Sequence, residues 1–316
     1  MKIKILDRST LGSDLPIDLL HKFGTIEAFE NTCPEELADR ISDAEVVIIN
    51  KIKITDEILS AAQKLRLICV FATGYDNVDI VAAKAHGVAV CNVPAYSTES
   101  VTLFTVSTVL SLFTHLNEYR SFVSSGKYTE SGKANCVTPV YHEIKGKTWG
   151  IIGFGNIGKR VGEVAKALGA RVIVNKVTPI DEYECVDIRT LCRESDIITI
   201  HCPLNEKTRG LISAELISMM KPSVLLVNEA RGAVTDENAV AEAILNKKIA
   251  AFGTDVYSVE PFSREHPFNQ IAGLPNVCLT PHSAWAAYEA RERAMQIVCK
   301  NIELFLREKT LNRVDK

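Results

Sequence analysis

The sequence has no C-x-x-C pair, and its nine cysteines, an odd number, are scattered along the chain. That spacing argues against both a disulfide framework and a zinc site, and no metal is expected. Cys69, Cys91, Cys202 and Cys278 fall in apolar stretches and read as buried thiols of a reducing cytoplasm. Charge of one sign is also missing. A net charge of −3 gives no general pull toward nucleic acid or an anionic membrane. Met1-Lys2-Ile3-Lys4-Ile5-Leu6 alternates like a strand and lacks the long apolar region of a signal peptide. From Ser100 to Asn117 no residue is charged, yet four threonines and three serines interrupt the run. A buried helix suits it better than a membrane span. There is no internal repeat and no low-complexity tract.

What is present is an ordinary globular composition, 47% hydrophobic and 24% charged over 316 residues, enough for two domains with a core each. The first hundred residues alternate short strands with helices. Strands are predicted at Lys2–Asp7, Thr25–Phe29, Val46–Asn50, Leu65–Phe71 and Val88–Val93, with helices at Pro34–Ile41 and Asp56–Ala62. Such alternation implies a parallel sheet with helices on both faces. Asn92-Val93-Pro94 closes the last strand, and a hinge is expected there. One long helix is predicted from Thr98 to Ser124, then a polar irregular loop over Ser125–Glu143. A loop of that length covers a site or meets a partner subunit.

A second α/β block starts at Lys147. Its predicted strands are Thr148–Gly153, Arg171–Asn175, Tyr183–Val186, Ile197–Cys202, Val224–Asn228, Ala251–Asp255 and Val277–Thr280. Helices are predicted at Ile157–Leu168, Ile188–Glu194, Ser213–Met219 and Asp236–Asn246. A final amphipathic helix from Ala284 to Arg307 is expected to return the chain to the first domain. The block's first strand runs into Gly153-Phe154-Gly155-Asn156-Ile157-Gly158. After a strand and before a helix, the three glycines serve a tight turn, a close approach to pyrophosphate and close helix–strand packing. The helix N-terminus would then face the phosphates. A turn rich in glycine for packing alone is the plainer alternative.

Three polar residues follow strand ends in this block: Arg231, Glu260 and His282. Ligands of a doubly wound sheet bind outside those ends. Alone, each has a mundane explanation as a solvated or structural residue. Together they fit hydride transfer to a 2-oxo acid. His282 would donate a proton to the carbonyl oxygen, and Glu260 would orient the ring and favour the imidazolium. Arg231 has the fork to hold a carboxylate. Asp255 would accept a hydrogen bond from a nicotinamide carboxamide.

These segments, in this order, resemble the D-isomer-specific 2-hydroxyacid dehydrogenase family over nearly the whole chain. Val70-Phe71-Ala72-Thr73-Gly74-Tyr75-Asp76-Asn77-Val78-Asp79 is similar to the family's substrate loop, and His201-Cys202-Pro203-Leu204 to its adenine-side strand end. Asn228-Glu229-Ala230-Arg231-Gly232, Asp255 through Glu260-Pro261, and Thr280-Pro281-His282 are similar to its Arg, Glu and His segments. The resemblance implies a Rossmann doubly wound domain over residues 98–285. It also implies a discontinuous flavodoxin-like α/β substrate domain over 1–97 and 286–316, with substrate held in a cleft between the two. It implies catalysis by Arg231, Glu260 and His282, and a carboxylate cradle at the Thr73 and Gly74 amides. It places NAD(P) against Gly153, Gly155, Asn156, Ile157, Gly158, Asn175, Lys176, His201, Cys202, Pro203, Thr208, Glu229, Ala230, Asp255 and His282. It also implies a homodimer. Asn92–Val101 and His282–Ala286 are similar to glycerate dehydrogenases, also called hydroxypyruvate reductases. Trp285, one helical turn past His282, either walls the pocket or is helix packing.

The chain departs from that pattern in places. Val101-Thr102-Leu103 stands where relatives often run Val-Ala-Glu or Val-Ala-Gln. Glu229 replaces a small neutral residue, and a carboxylate there would disfavour an anionic substrate. Asn175 stands where relatives that use NAD commonly carry Asp, so the choice between NAD and NADP stays open. Two other readings of the fold compete: a dinucleotide-sensing binding protein or corepressor, and a non-redox Rossmann enzyme. The complete Arg–Glu–His set speaks against the first, and the lack of Tyr-x-x-x-Lys or an obvious nucleophile against the second.

Overall fold

A computed structural model describes the chain from Met1 to Lys316. It divides into two compact units, Met1–Ser97 with Ala286–Lys316, and Thr98–Trp285. In the first unit, strands β1 (Lys2–Ile5), β2 (Thr25–Ala28), β3 (Val46–Ile49), β4 (Leu67–Val70) and β5 (Ala89–Cys91) alternate with helices. The helices are α1 (Pro34–Ile41), α2 (Asp56–Ala61) and α3 (Ile80–Ala85). The sheet order is β2-β1-β3-β4-β5, every pair parallel, which is the flavodoxin-like order. β3 and β4 are buried along their full length, and so they read as unbroken Val/Ile/Leu-rich runs. α3 was not among the predicted helices. Its start is fixed by Asp79, whose Oδ1 accepts from the Ala82 amide at 2.9 Å.

The second unit opens with α4 (Thr98–Phe113), α5 (Leu116–Ser124) and α6 (Lys127–Glu130). One unbroken helix was expected there. His115 instead takes a left-handed conformation, φ 54°, which ends α4, and its Nδ1 pairs with Glu118 Oε1 at 2.6 Å in the first turn of α5. The polar loop beyond contains α6.

The strands that follow are β6 (Thr148–Ile152), β7 (Arg171–Asn175), β8 (Glu184–Cys185), β9 (Ile197–Ile200), β10 (Leu225–Asn228), β11 (Ala251–Thr254) and β12 (Val277–Leu279). Between them lie α7 (Asn156–Ala167), α8 (Ile188–Glu194), α9 (Ala214–Ser218) and α10 (Glu237–Leu245). The parallel sheet runs β12-β11-β10-β9-β6-β7-β8. Strand order therefore reverses between β6 and β9, the switch point where doubly wound sheets bind ligands.

Alternation along β10 shows how the sheet is clothed. Leu225 and Val227 join Val109 and Leu112 of α4 and Val161 of α7 on one face. Leu226 joins Ile198, Ile200 and Phe252 against Ile217 and Val240 on the other. Trp149 is fully buried in the first of these layers, its Nε1 donating to Thr199 Oγ1 at 3.1 Å. Truncating it to alanine would cost about 3–5 kcal/mol.

The last helix, α11, runs from Tyr288 to Leu306 and belongs to the first unit. It starts four residues later than predicted. The Ala284 amide is bound instead by the Asp255 carboxylate at 2.7 Å, and residues 282–287 form an irregular segment.

Candidate active site

The glycine turn follows β6 at the switch point. Gly153 has φ +85°, and a Cβ there would lie 2.4 Å from the Cys202 amide nitrogen, so both backbone conformation and the neighbouring segment exclude a side chain. A Cβ on Gly158 would fall 2.2 Å from the Gly153 carbonyl oxygen. Gly155 differs: a Cβ there meets nothing within 4 Å. No side chain caps α7, so its first amides, from Asn156, Ile157 and Gly158, remain donors beside that open space. A dinucleotide pyrophosphate fits this arrangement.

At the end of β7, the Asn175 amide group donates to Val186 O at 3.0 Å. Its carbonyl oxygen and its second N–H are left for a ribose hydroxyl. Lys176 is exposed beside it. Past β9, Thr208 braces its own turn, donating to Pro203 O at 2.6 Å while accepting from the Asn205 amide at 2.8 Å. Burial pushes the Cys202 thiol up to about 11. Both ring nitrogens of His201 are buried without a hydrogen-bond partner, and burial lowers its pKa to about 3. The ring is neutral at any ordinary pH.

Arg231 is presented by a braced turn. Asn228 Oδ1 accepts from the Ala230 amide at 3.1 Å while its Nδ2 donates to Arg231 O at 3.0 Å. Gly232 packs so closely on the next loop that a Cβ would lie 2.0 Å from the Tyr257 carbonyl carbon. Thus the Arg231 turn is pressed against the segment that carries Glu260. There, Glu260 Oε1 accepts from the Tyr257 amide at 3.0 Å, and Oε2 lies 2.6 Å from His282 Nδ1.

His282 itself has a left-handed backbone, φ 53°, which costs roughly 1–3 kcal/mol in a non-glycine residue. Asp255 supplies the restraint. It is 1% exposed. Its Oδ1 accepts from Thr280 Oγ1 at 2.7 Å and the Ser283 amide at 2.9 Å, and its Oδ2 from the Ala284 amide at 2.7 Å. The carboxylate therefore holds the chain on both sides of His282. Three of about four lone-pair sites are taken, leaving one for a carboxamide. Trp285 is not one helical turn past His282, since this segment is not helical; its indole Nε1 turns back to donate to His282 O at 2.9 Å.

Glu229 is buried. It is 8% exposed, and neither carboxyl oxygen has a partner. Burial, with the nearby Asp255 charge adding to it, raises its pKa well above the usual carboxylate range. Both causes favour the protonated, uncharged form, which weakens any repulsion against an anionic substrate.

Thr73 and Gly74 lie after β4 in the first unit. Thr73 Oγ1 donates to Val93 O at 2.9 Å, and Asn92 Nδ2 donates to Thr73 O at 2.8 Å. Their own amides are not used within the chain.

Three supporting residues were not singled out from the sequence, although each lies within or beside a motif that was: Asn228, Thr280 and Tyr257. Tyr257 donates its hydroxyl to Thr280 O at 2.8 Å, tying the Glu260 loop to the His282 loop. Adjacency to the motif was the available signal.

A dinucleotide turn at the switch point, with a paired His and Glu and a braced Arg at neighbouring strand ends, defines an NAD(P)-dependent oxidoreductase. The model of the D-isomer specific 2-hydroxyacid dehydrogenase NAD binding domain matches residues 106–284. The chain is 36% identical over 327 residues to a hydroxypyruvate reductase of Blautia hydrogenotrophica, covering 100% of both chains. It is 36% identical over 318 residues to a glycerate dehydrogenase of Methylorubrum extorquens, covering 99% of each. Among solved structures it resembles an acyclic imino acid reductase in complex with NADPH and D-Arg, TM-score 0.87 at 31% identity, covering 99% of this chain and 100% of that one. The chain belongs to the D-isomer-specific 2-hydroxyacid dehydrogenase family, and the match to that family's NAD binding domain, residues 106–284, falls within the second unit.

Proposed function

We propose that the protein reduces a small 2-oxo acid to the D-2-hydroxy acid, with hydroxypyruvate or glyoxylate as the substrate. The observation that carries this reading is the 2.6 Å pair between His282 Nδ1 and Glu260 Oε2, held by the Asp255 anchor beside the braced Arg231 turn. Bound NAD(P)H supplies the hydride. With Nδ1 engaged by Glu260, Nε2 is the ring atom that gives a proton to the carbonyl oxygen. Arg231 holds the carboxylate and polarises the carbonyl, and the unused Thr73 and Gly74 amides are carboxylate donors of the first unit.

Hydroxypyruvate is favoured by the names of the two relatives aligned along nearly their whole length. Glu229 is compatible with an anionic substrate because burial and Asp255 favour its uncharged form. Dual use of cofactor, NADPH at least as well as NADH, is supported by Asn175 and Lys176 in place of a ribose-binding carboxylate. The setting we propose is the cytoplasm, in keeping with nine free thiols. No helix is long and apolar enough to cross a membrane. We propose a homodimer and no nucleic-acid partner. Leu116, Val123, Val137, Val140 and Tyr141, all more than half exposed, supply the apolar surface for the dimer.

A panel of 2-oxo acids assayed with both reduced cofactors tests the reading. Hydroxypyruvate or glyoxylate should give the highest kcat/KM; cofactor binding without turnover of any 2-oxo acid would favour a dinucleotide sensor instead.

A further inference from the structure

The ladder of the second sheet continues one step past its strands. His201 N donates to Ile152 O at 2.7 Å, Glu229 N to Ile200 O at 3.3 Å, Asp255 N to Asn228 O at 3.4 Å and Thr280 N to Thr254 O at 3.0 Å. In a parallel ladder these bonds align Gly153, His201, Glu229, Asp255 and Thr280 as one row across the carboxyl edge. Side chains of aligned residues share a face. Here it is the face of Leu225, Val227 and Ala251, the one covered by α4. Asp255 and Thr280 are hydrogen-bonded to each other. His201 and Glu229, side by side in the middle, are buried and unpartnered.

The groups around Glu229 make it the one that responds to charge. From β9 comes only the neutral His201 ring. From β11 and its loop come Asp255, whose carboxylate raises the pKa of Glu229 further, and then Tyr257 and Glu260. Cys278 comes from β12, and Arg231 lies two residues along its own segment. The buried face of α4 offers Ser100, Thr102, Thr105 and Thr108, hydroxyls with no charge. Thr102 Oγ1 is itself buried without a partner.

Asp255 keeps one lone-pair site for the nicotinamide carboxamide, so the part of the row at Glu229 and Asp255 is where the proposed function sets the nicotinamide ring. That ring is cationic in the oxidised cofactor and neutral in the reduced one. We propose that Glu229 keeps its proton when the reduced cofactor is bound and releases it to solvent when the oxidised cofactor is bound, so that this side chain makes the preference between the two redox forms depend on pH. The balance is simple: protonated enzyme plus NAD⁺ gives the ionised Glu229 complex plus one proton, with no change of oxidation state. With NADH there is no positive charge to stabilise the carboxylate, and the proton stays. Glu229 is a positioning residue in this sense, setting the charge around the ring and taking no part in hydride transfer. The inference rests on the NAD(P)-dependent reading of the site.

The test is dissociation constants for NADH and NAD⁺, without substrate, between about pH 6 and pH 9, for wild type and Glu229→Gln. One proton released per NAD⁺ bound tightens NAD⁺ by up to ~10-fold per pH unit. The ratio of the NAD⁺ constant to the NADH constant should therefore fall as pH rises in wild type. In Glu229→Gln the ratio should lose that slope. Calorimetry of NAD⁺ binding to wild type in two buffers of different ionisation enthalpy counts the proton without a variant, and should find up to about one more than NADH binding releases. A wild-type ratio independent of pH, or a slope unchanged by Glu229→Gln, would overturn the inference. Failure to bind either form would instead overturn the cofactor-dependent reading beneath it.

Discussion

His282 Nδ1 and Glu260 Oε2 lie 2.6 Å apart, on loops that leave the adjacent strands β12 and β11. A carboxylate at Nδ1 fixes the tautomer and ring direction, which leaves Nε2 for chemistry. His282→Ala should lower kcat by ~10²–10⁴-fold, the range of general acid catalysis, with little change in the dissociation constant for NADH. Near-normal turnover in this variant would remove His282 from the mechanism.

Arg231→Lys keeps the charge and loses the fork. If the guanidinium contacts both the carboxylate and the carbonyl, KM rises and kcat falls together in steady-state kinetics. A rise in KM alone would reduce Arg231 to a binding residue.

His201 and Glu229 bend the pH dependence of stability in opposite directions. His201 is lowered from 6.5 to about 3, so its contribution is intact above pH 6.5. On acidification the unfolded chain takes the proton first, and stability is lost down to about pH 3. Glu229 is raised above 4.5, so its contribution is intact below that value and is lost as pH climbs toward its folded pKa. Each slope is at most about 1.4 kcal/mol per pH unit. From about 4.5 toward 6.5 the two slopes oppose each other, and above 6.5 the His201 contribution is constant, so the Glu229 loss is unopposed by it up to the folded pKa of Glu229. Thermal melts of the cofactor-free protein should therefore show a lower Tm from pH 6.5 to pH 8.5 in wild type and a flatter profile in Glu229→Gln. Superimposable profiles would contradict the assignment.

Most of the site was legible because its residues sit in local segments whose type follows from short-range rules. The bounds of α1, β7 and α8 agree with the pattern-based reading because each is bounded by local signals. α8, for instance, starts where Asp187 Oδ1 accepts from the Arg189 and Thr190 amides at 2.9 and 3.0 Å. What was not legible depended on contacts far apart in sequence. The late start of α11 comes from Asp255, twenty-nine residues before Ala284. The raised pKa of Glu229 comes from burial at a strand end, which a one-dimensional pattern does not display. The break at His115 is a local choice of backbone conformation that neither a Gly nor a Pro announces.

Cofactor choice turns on Asn175. A carboxylate there would bind the ribose hydroxyls and repel a 2′-phosphate, whereas Asn175 offers a carbonyl oxygen and one N–H without charge, and Lys176 a nearby positive charge. Wild type should use NADPH at least as well as NADH. Asn175→Asp should move kcat/KM toward NADH by roughly 1–3 kcal/mol, the usual size of one coupling. A strong wild-type preference for NADH, unmoved by the substitution, would sink this part.

Sedimentation at micromolar concentration should show a dimer. Val137→Glu, which puts a charge on a side chain 75% exposed in the single chain, should weaken it if that surface is the interface. A wild-type monomer would leave the exposed apolar segment unexplained and count against the proposed assembly.

The central claim is proton and hydride delivery to a 2-oxo acid by this cofactor and His282. The most direct measurement is a single-turnover mix of the protein with NADH or NADPH and hydroxypyruvate or glyoxylate, following loss of the reduced cofactor and the chirality of the hydroxypyruvate product. The account predicts one reduced cofactor consumed per 2-oxo acid, D-glycerate from hydroxypyruvate, and slowing by ~10²–10⁴-fold in His282→Ala. Bound reduced cofactor that persists in the presence of each 2-oxo acid, or turnover indifferent to His282, would contradict it.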